Sequence, residues 1–331
     1  MNASDFDYEL PPERIAQFPA EPRDSSRLLV LNREQKTWKH QHFAEIGHFL
    51  KPGDLLIVNE SKVFKARLEG KVNDTTVEIF LLRPESNHWI ALGKPGKKLQ
   101  PGTRVTFTDG RQANILEKRD QDGTLCIDFQ APAEDIFAWA DQVGSVPTPP
   151  YVTASEKNDL AYQTTYAKTI GSVAAPTAGL HFTPELISNL KAQGIQFATI
   201  TLHVGLGTFR PMKTETLEEH VMHEEWIDVP KETLDAIKRT REQGGRVIAV
   251  GTTTVRALES NIQHGMTNIF IKPGYSFKNI DGLITNFHLP KSTLLVLISA
   301  FAGREFVLQA YAEAIKQNYR FYSFGDAMLI L

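Results

Sequence analysis

The chain has 331 residues, a formal net charge of −3, 41% hydrophobic and 23% charged residues, and one cysteine. This composition fits one or two globular domains with a full core and excludes collagen-like, disordered and disulfide-stapled classes. The longest apolar run, Leu294 to Ala302, is too short to span a bilayer, and Met1 to Leu10 carries acids where a signal peptide needs bases, so a cytoplasmic protein without a membrane partner is expected.

In chain order, a Pro-rich entry leads to a strand at Arg27 to Leu31 and a short helical stretch from Phe43 to Leu50. Pro52-Gly53-Asp54 marks a turn before a buried strand, Leu55 to Val58. From Val63 to Gln130 the texture changes to short alternating runs between turn residues: Val77 to Leu82, Trp89 to Leu92, Arg104 to Phe107 and Leu125 to Phe129. Such spacing predicts a small antiparallel barrel, with Cys126 a buried structural thiol. Pro147-Thr-Pro-Pro150 reads as a stiff linker.

Beyond Tyr151 strands and helices alternate. Thr183-Pro184-Glu185 opens a helix that Gly194 closes, and a strand covers Phe197 to His203. A helix from Lys231 to Gln243 precedes a strand at Val247 to Val250, the turn Gly251-Thr-Thr-Thr254 and a further helix to Ser260. Gly282 to Phe287 is a strand, Ser292 caps a helix ending at Ala302, Arg304 to Gln317 forms another, and Ala327 to Leu331 closes the chain. The pattern predicts an α/β domain, a mixed sheet or partial barrel, built from residues 1–60 and 151–331, with 61–150 inserted as a β-barrel domain.

Residues 61–104 hold nine Lys/Arg against four acids, a local +5 that leaves −8 for the remainder. Such a patch can dock a polyanion or serve as a solvated strand surface. Four polar loops carry the chemical interest: Gly171 to Thr183, Thr201 to Pro211, the Gly251–Thr254 turn with Arg256 one helical turn on, and Ile284 to Thr293. Each combines small residues, which permit close backbone approach, with hydroxyls, an amide or an imidazole. His181, His203 and His288 stand at strand or helix boundaries, where α/β enzymes place working groups. His220 and His223, with His203, would allow a zinc site and a metal-dependent hydrolase, although the spacing is not H-E-x-x-H. A non-catalytic RNA-binding protein is a further alternative. Gly205-Leu-Gly207-Thr-Phe-Arg210 lacks the third glycine of a dinucleotide loop.

Long segments resemble the S-adenosylmethionine:tRNA ribosyltransferase-isomerases of queuosine biosynthesis. They include Asp54-Leu-Leu-Ile-Val-Asn-Glu-Ser-Lys-Val-Phe-Lys-Ala-Arg-Leu68, Gly171-Ser-Val-Ala-Ala-Pro-Thr-Ala-Gly-Leu-His-Phe-Thr183 and Thr201-Leu-His-Val-Gly-Leu-Gly-Thr-Phe209. Ile248 to Ser260, Phe270 to Gly274, Asp281 to Leu295 and Tyr319 to Ile330 continue the likeness in order over nearly the whole chain. Asn59-Glu-Ser-Lys62 departs from the more usual Asn-Asp-Thr-Arg, and Trp226 and Phe324 stand in usual tyrosine places.

The resemblance implies an α/β domain with an inserted barrel. It also implies transfer and isomerisation of the ribosyl group of S-adenosylmethionine onto 7-aminomethyl-7-deazaguanine at the tRNA wobble position, giving epoxyqueuosine, adenine and methionine. S-adenosylmethionine is then a co-substrate, tRNA the partner, and neither a metal nor an obligate protein partner is expected. A base must take a proton beside the sulfonium, and adenine departs more easily with acid assistance. His181 or His203 is the expected base, with Glu224 or Asp326 assisting. Thr177, Gly179, Gly205, Gly207, Gly251, Thr252, Thr253, Thr254, Arg256, Asn286 and His288 are expected to line the ligand, Arg256 as a carboxylate partner. Lys62, Arg67, Lys97 and Lys98 are expected to neutralise tRNA phosphates.

Overall fold

The computed structural model describes the chain except residues 120–122, 148–150, 153–158, 160, 206–211 and 213. Gly207, most of its loop and most of the Pro-rich linker therefore lie outside the described residues. Two compact units emerge: Met1–Ser61, Pro149–Thr169 and Ala175–Leu331 form one, Lys62–Thr148 and Ile170–Ala174 the other.

The strands before the long helices are β1 (Arg27–Asn32), β2 (Thr37–His42), β3 (Leu55–Asn59), β4 (Ser61–Val63), β5 (Arg67–Val72), β6 (Thr75–Glu85), β7 (His88–Lys94), β8 (Arg104–Phe107), β9 (Gln112–Lys118), β10 (Leu125–Asp128) and β11 (Thr169–Ser172). Those that follow are β12 (Gln196–Leu202), β13 (Glu225–Asp228), β14 (Val247–Val250), β15 (His264–Thr267), β16 (Gly282–Asn286) and β17 (Ala327–Ile330). Helices are α1 (Ala133–Val143), α2 (Pro184–Ala192), α3 (Lys231–Glu242), α4 (Thr252–Glu259), α5 (Thr293–Ala302) and α6 (Arg304–Lys316).

The first unit is built on a nine-stranded mixed sheet in the order β15-β13-β12-β3-β14-β16-β17-β1-β2. Its centre is parallel: β12 and β14 flank β3, and β16 follows β14. Parallel strands are covered on both faces, which is why β3, β14 and β16 are buried at every position and read as continuous apolar runs. Phe43, Phe182, Leu186 and Leu190 pack with Leu56, Val58, Ile248 and Val250 in one core cluster on this sheet. The expected helical stretch at Phe43 is a 3₁₀ segment, Phe43–Phe49, and a second one, Thr177–His181, carries the first candidate histidine.

Helix ends follow their caps. Thr183 Oγ1 accepts the Leu186 N–H at 3.1 Å, Pro184 fills the first turn, and Ser292 Oγ accepts the Leu295 N–H at 3.2 Å at the head of α5. Among the described residues no single helix is long and apolar enough to cross a membrane.

In the second unit β10-β7-β6-β5-β8-β9 close into an antiparallel barrel. Cys126 is buried in β10, and burial raises its thiol pKa, as suits a structural residue. The sequence of this unit holds twelve Lys/Arg and twelve Asp/Glu, so the basic stretch is local and the unit as a whole is neutral.

A buried ion pair fastens the sheet at the edge where β3 and β14 begin. Asp54, 1% exposed, accepts from Arg246 Nη2 at 2.6 Å, Arg246 Nε at 3.2 Å and the Lys51 N–H at 2.8 Å. Burial alone would raise its carboxyl pKa, but these donors outweigh it and hold the pKa below the usual value. Asp54→Asn leaves Arg246 without its counter-charge and should cost roughly 3 kcal/mol in a denaturant titration. Because the folded pKa is depressed, the gap should be full above about pH 4 and shrink as pH falls further.

A cavity at the carboxyl edge of the parallel strands

Four parallel strands stop side by side: β12 at Leu202, β3 at Asn59, β14 at Val250 and β16 at Asn286. Antiparallel β17 enters beside them, with Ala327 opposite Asn286. Crevices outside such carboxyl ends are where open α/β sheets bind ligands. Here lies a narrow cavity of about 40 Å³. Ala175 to Ala178, Val204, Gly251 to Thr253 and Thr285 to His288 wall it, with Leu294, Tyr322 and Ser323. All four polar loops therefore reach one hollow.

Asn59 ties three of the strand ends together. Wholly buried, it donates from Nδ2 to the Leu202 carbonyl at 2.9 Å and to Thr253 Oγ1 at 3.4 Å. Its Oδ1 accepts the N–H groups of Leu202 at 3.0 Å and Ser61 at 3.1 Å. Gly251 turns β14 into α4 at a φ of +91°, a region that a side chain disfavours. Thr252 and Thr253 then present the start of α4 to the cavity. Thr254 does not: its hydroxyl donates to the Val250 carbonyl at 2.7 Å and serves the helix.

The three histidines differ in placement. His288 lines the cavity, with Nε2 2.8 Å from Thr285 Oγ1 and its backbone N–H donating to Tyr311 Oη at 2.9 Å. His203 follows β12 beside the cavity residue Val204, half-buried, with Nδ1 2.8 Å from Ser61 Oγ and its ring stacked on Trp226 at 5.0 Å. Among the described residues its Nε2 has no hydrogen-bond partner. His181 stands one layer back, stacked on Phe43, with both ring nitrogens engaged by Ser26 and Asn286. Burial lowers the pKa of all three, to about 3 for His181 and His288 and about 4 for His203, so each imidazole is neutral near pH 7.

The two expected carboxylates also separate. Glu224 is exposed, whereas the next residue, Glu225, is 5% exposed and pairs with Arg256 Nη1. Glu225 Oε1 accepts the Gly205 N–H at 3.1 Å, and Arg256, also 5% exposed, keeps Nε and Nη2 without partners among the described residues. Sequence reading missed Glu225, although the alternation with Ile227 along β13 carries its inward direction. Asp326 is away from the cavity wall: Oδ1 accepts the Arg27 N–H at 2.9 Å and Oδ2 the Arg320 N–H at 2.7 Å. Tyr322, also missed, lines the cavity in a left-handed conformation, φ 75°.

Thr177 lines the cavity, but Gly179 does not; a Cβ there would meet Tyr166 Oη at 2.0 Å, so packing explains the glycine. Among the described residues the nearest neighbour of a Cβ at Gly205 would be Glu225 Cγ at 3.9 Å. His220 packs edge-on against Phe270 and His223 is exposed; among the described residues no three His, Cys, Asp or Glu side chains converge to hold a metal ion. Lys62, Lys97 and Lys98 are exposed on the second unit, while Arg67 lies 3.9 Å from Glu78.

A family model described as "Queuosine biosynthesis protein" matches residues 3–330. The S-adenosylmethionine:tRNA ribosyltransferase-isomerase of Thermotoga maritima is 52% identical, with all of both chains covered. That of a Nostoc strain is 50% identical over 98% of this chain and 91% of its own. A solved structure, the S-adenosylmethionine tRNA ribosyltransferase of Thermotoga maritima, superposes with a TM-score of 0.58 at 44% identity, covering 99% of this chain and 100% of that one. The metal-dependent hydrolase and the RNA-binding module find no support among these relatives. With full-length matches of this kind, the chain belongs to the queuosine biosynthesis protein family.

Proposed function

We propose that this chain is an S-adenosylmethionine:tRNA ribosyltransferase-isomerase, moving the ribosyl group of S-adenosylmethionine onto 7-aminomethyl-7-deazaguanine at the wobble position of tRNA. The reading places it in the cytoplasm. The observation that carries it is 52% identity over the full length of a relative bearing that name. The cavity at the carboxyl edge, walled by all four polar loops, supports it chemically. Incubating the protein with S-adenosylmethionine and tRNA carrying the modified base should release adenine and methionine in equal amounts. S-adenosylhomocysteine instead would mean methyl transfer.

In this reading S-adenosylmethionine occupies the cavity. A proton leaves the ribose carbon beside the sulfonium, adenine departs from the sugar, the neutral aminomethyl nitrogen attacks the ribosyl unit, and methionine leaves as the carbon–sulfur bond breaks and the epoxide closes. We assign the base to His203 rather than His181, because of these two only His203 has a ring nitrogen without a hydrogen-bond partner among the described residues. Ser61 fixes the ring from the other side, and the half-buried setting keeps it unprotonated. Neither expected carboxylate suits acid assistance: both oxygens of Asp326 already accept backbone N–H groups, and Glu224 is exposed and off the cavity wall. Arg256, charged and with two donor nitrogens unused, suits the carboxylate of the methionine portion. Gly251, Thr252 and Thr253 would approach the nucleoside closely, with Thr177 and His288 on the same cavity wall.

His203→Ala should cut adenine release at least about a hundredfold with the fold intact, the usual scale for a lost general base. Loss of kcat/KM on the acid side should fall near pH 4, because protonating His203 removes the base and its pKa is lowered to about 4; an acid limb near pH 6.5 would point to another group. Arg256→Lys should raise the KM for S-adenosylmethionine about tenfold, since a lysine cannot reproduce the planar fork.

For tRNA, Lys62, Lys97 and Lys98, with Arg67 beside them in sequence, are the proposed phosphate contacts on the second unit. Reversing Lys97 and Lys98 together should weaken tRNA binding and lower the slope of log affinity against log salt by roughly one to two. An unchanged slope returns these lysines to the solvated surface.

A further inference from the structure

Asn286 is 3% exposed and lines the cavity. Its Nδ2 gives one proton to His181 Nε2 at 3.2 Å and the other to the Tyr322 carbonyl at 3.0 Å. Turning the amide over would set its oxygen against that carbonyl, acceptor against acceptor, so its orientation is fixed. Among the described residues Oδ1 is thereby left without a partner in a buried position, a condition native proteins seldom tolerate.

The orientation is imposed from two sides. His181 accepts on Nε2, so its proton sits on Nδ1 and goes to Ser26 Oγ at 2.8 Å, while stacking on Phe43 at 4.9 Å holds the ring. On the other side the left-handed backbone of Tyr322 directs its carbonyl to the Asn286 amide. Asp326 holds the loop that carries Tyr322 by accepting the N–H groups of Arg320 and Arg27. Two side chains first expected to handle protons thus converge on one amide.

We propose that Asn286 Oδ1 is a specificity-determining acceptor that takes an N–H from the bound sulfonium nucleoside, and that His181 is a positioning residue keeping this oxygen turned to the ligand. This rests on the reading that S-adenosylmethionine occupies the cavity. The donor is an amine N–H, on either the adenine ring or the α-amino group of the methionine portion.

The test is calorimetric binding of S-adenosylmethionine and two analogues, one with hypoxanthine in place of adenine and one lacking the α-amino group. Wild-type protein should bind one analogue about tenfold more weakly or worse, and the analogue affected identifies the donor. Asn286→Ala should bind that analogue and S-adenosylmethionine alike. His181→Phe keeps the stack but offers no acceptor, so its discrimination should fall severalfold, and His181→Gln, which accepts through its amide oxygen, should restore part of it. Wild-type protein binding all three ligands equally would overturn the acceptor role, and that arm requires no variant to fold. Full discrimination in His181→Phe would overturn the positioning role. Failure of the underlying reading looks different: S-adenosylmethionine would then bind undiminished when Thr252→Trp fills the cavity.

Discussion

Where several strands of a sheet stop at one edge, their last backbone groups must find partners in a place that water scarcely reaches. Asn59 meets that constraint here. Its amide satisfies both backbone groups of Leu202 and the N–H of Ser61, and touches Thr253 at the start of α4. The ends of β3, β12 and β14 are thereby fixed relative to one another, and the residues just beyond them become the walls of a hollow. His203 follows Leu202 directly and is held through the hydroxyl of Ser61, so the same amide sets the candidate base. Asn286, at the end of β16, is the counterpart with one group left over.

The Glu225–Arg256 pair has a different logic. Two buried charges lose their hydration, and a guanidinium with two nitrogens unbonded regains only part of it. Such a pair is poor material for stability. What it does is aim a permanent cation from α4 and secure the amide of Gly205, where the loop after β12 begins. The histidines around the cavity are driven neutral by burial, and Arg256 is not among the residues that wall it.

Much of this was legible in the sequence, and what was not has identifiable causes. Leu55–Val58, Val247–Val250 and Gly282–Phe287 announced themselves because strands covered on both faces need unbroken apolar runs. The caps Thr183 and Ser292 marked their helices to the residue. β2 escaped notice because it carries lysine and histidine, with four of its six residues exposed. α1 escaped because eleven residues with only Ile136, Trp139 and Ala140 buried make a faint stripe among strands. At the site, residue types were readable but directions were not. Whether His181 faces the hollow or the layer behind it depends on Ser26, 155 positions away. Glu224 and Glu225 are separated only by the two-residue period of a strand whose four residues are too few to fix its phase.

The position of β3 in the chain bears on how the protein is made. Both neighbours of this central, wholly buried strand, β12 and β14, are encoded well over a hundred residues downstream. During synthesis on the ribosome the strand therefore emerges with neither edge paired, and it waits while the intervening barrel is translated. A long-lived apolar edge of that kind is a binding target for nascent-chain chaperones. It also makes closure of the sheet a late event, so the hollow comes into being only as the final third of the chain leaves the exit tunnel.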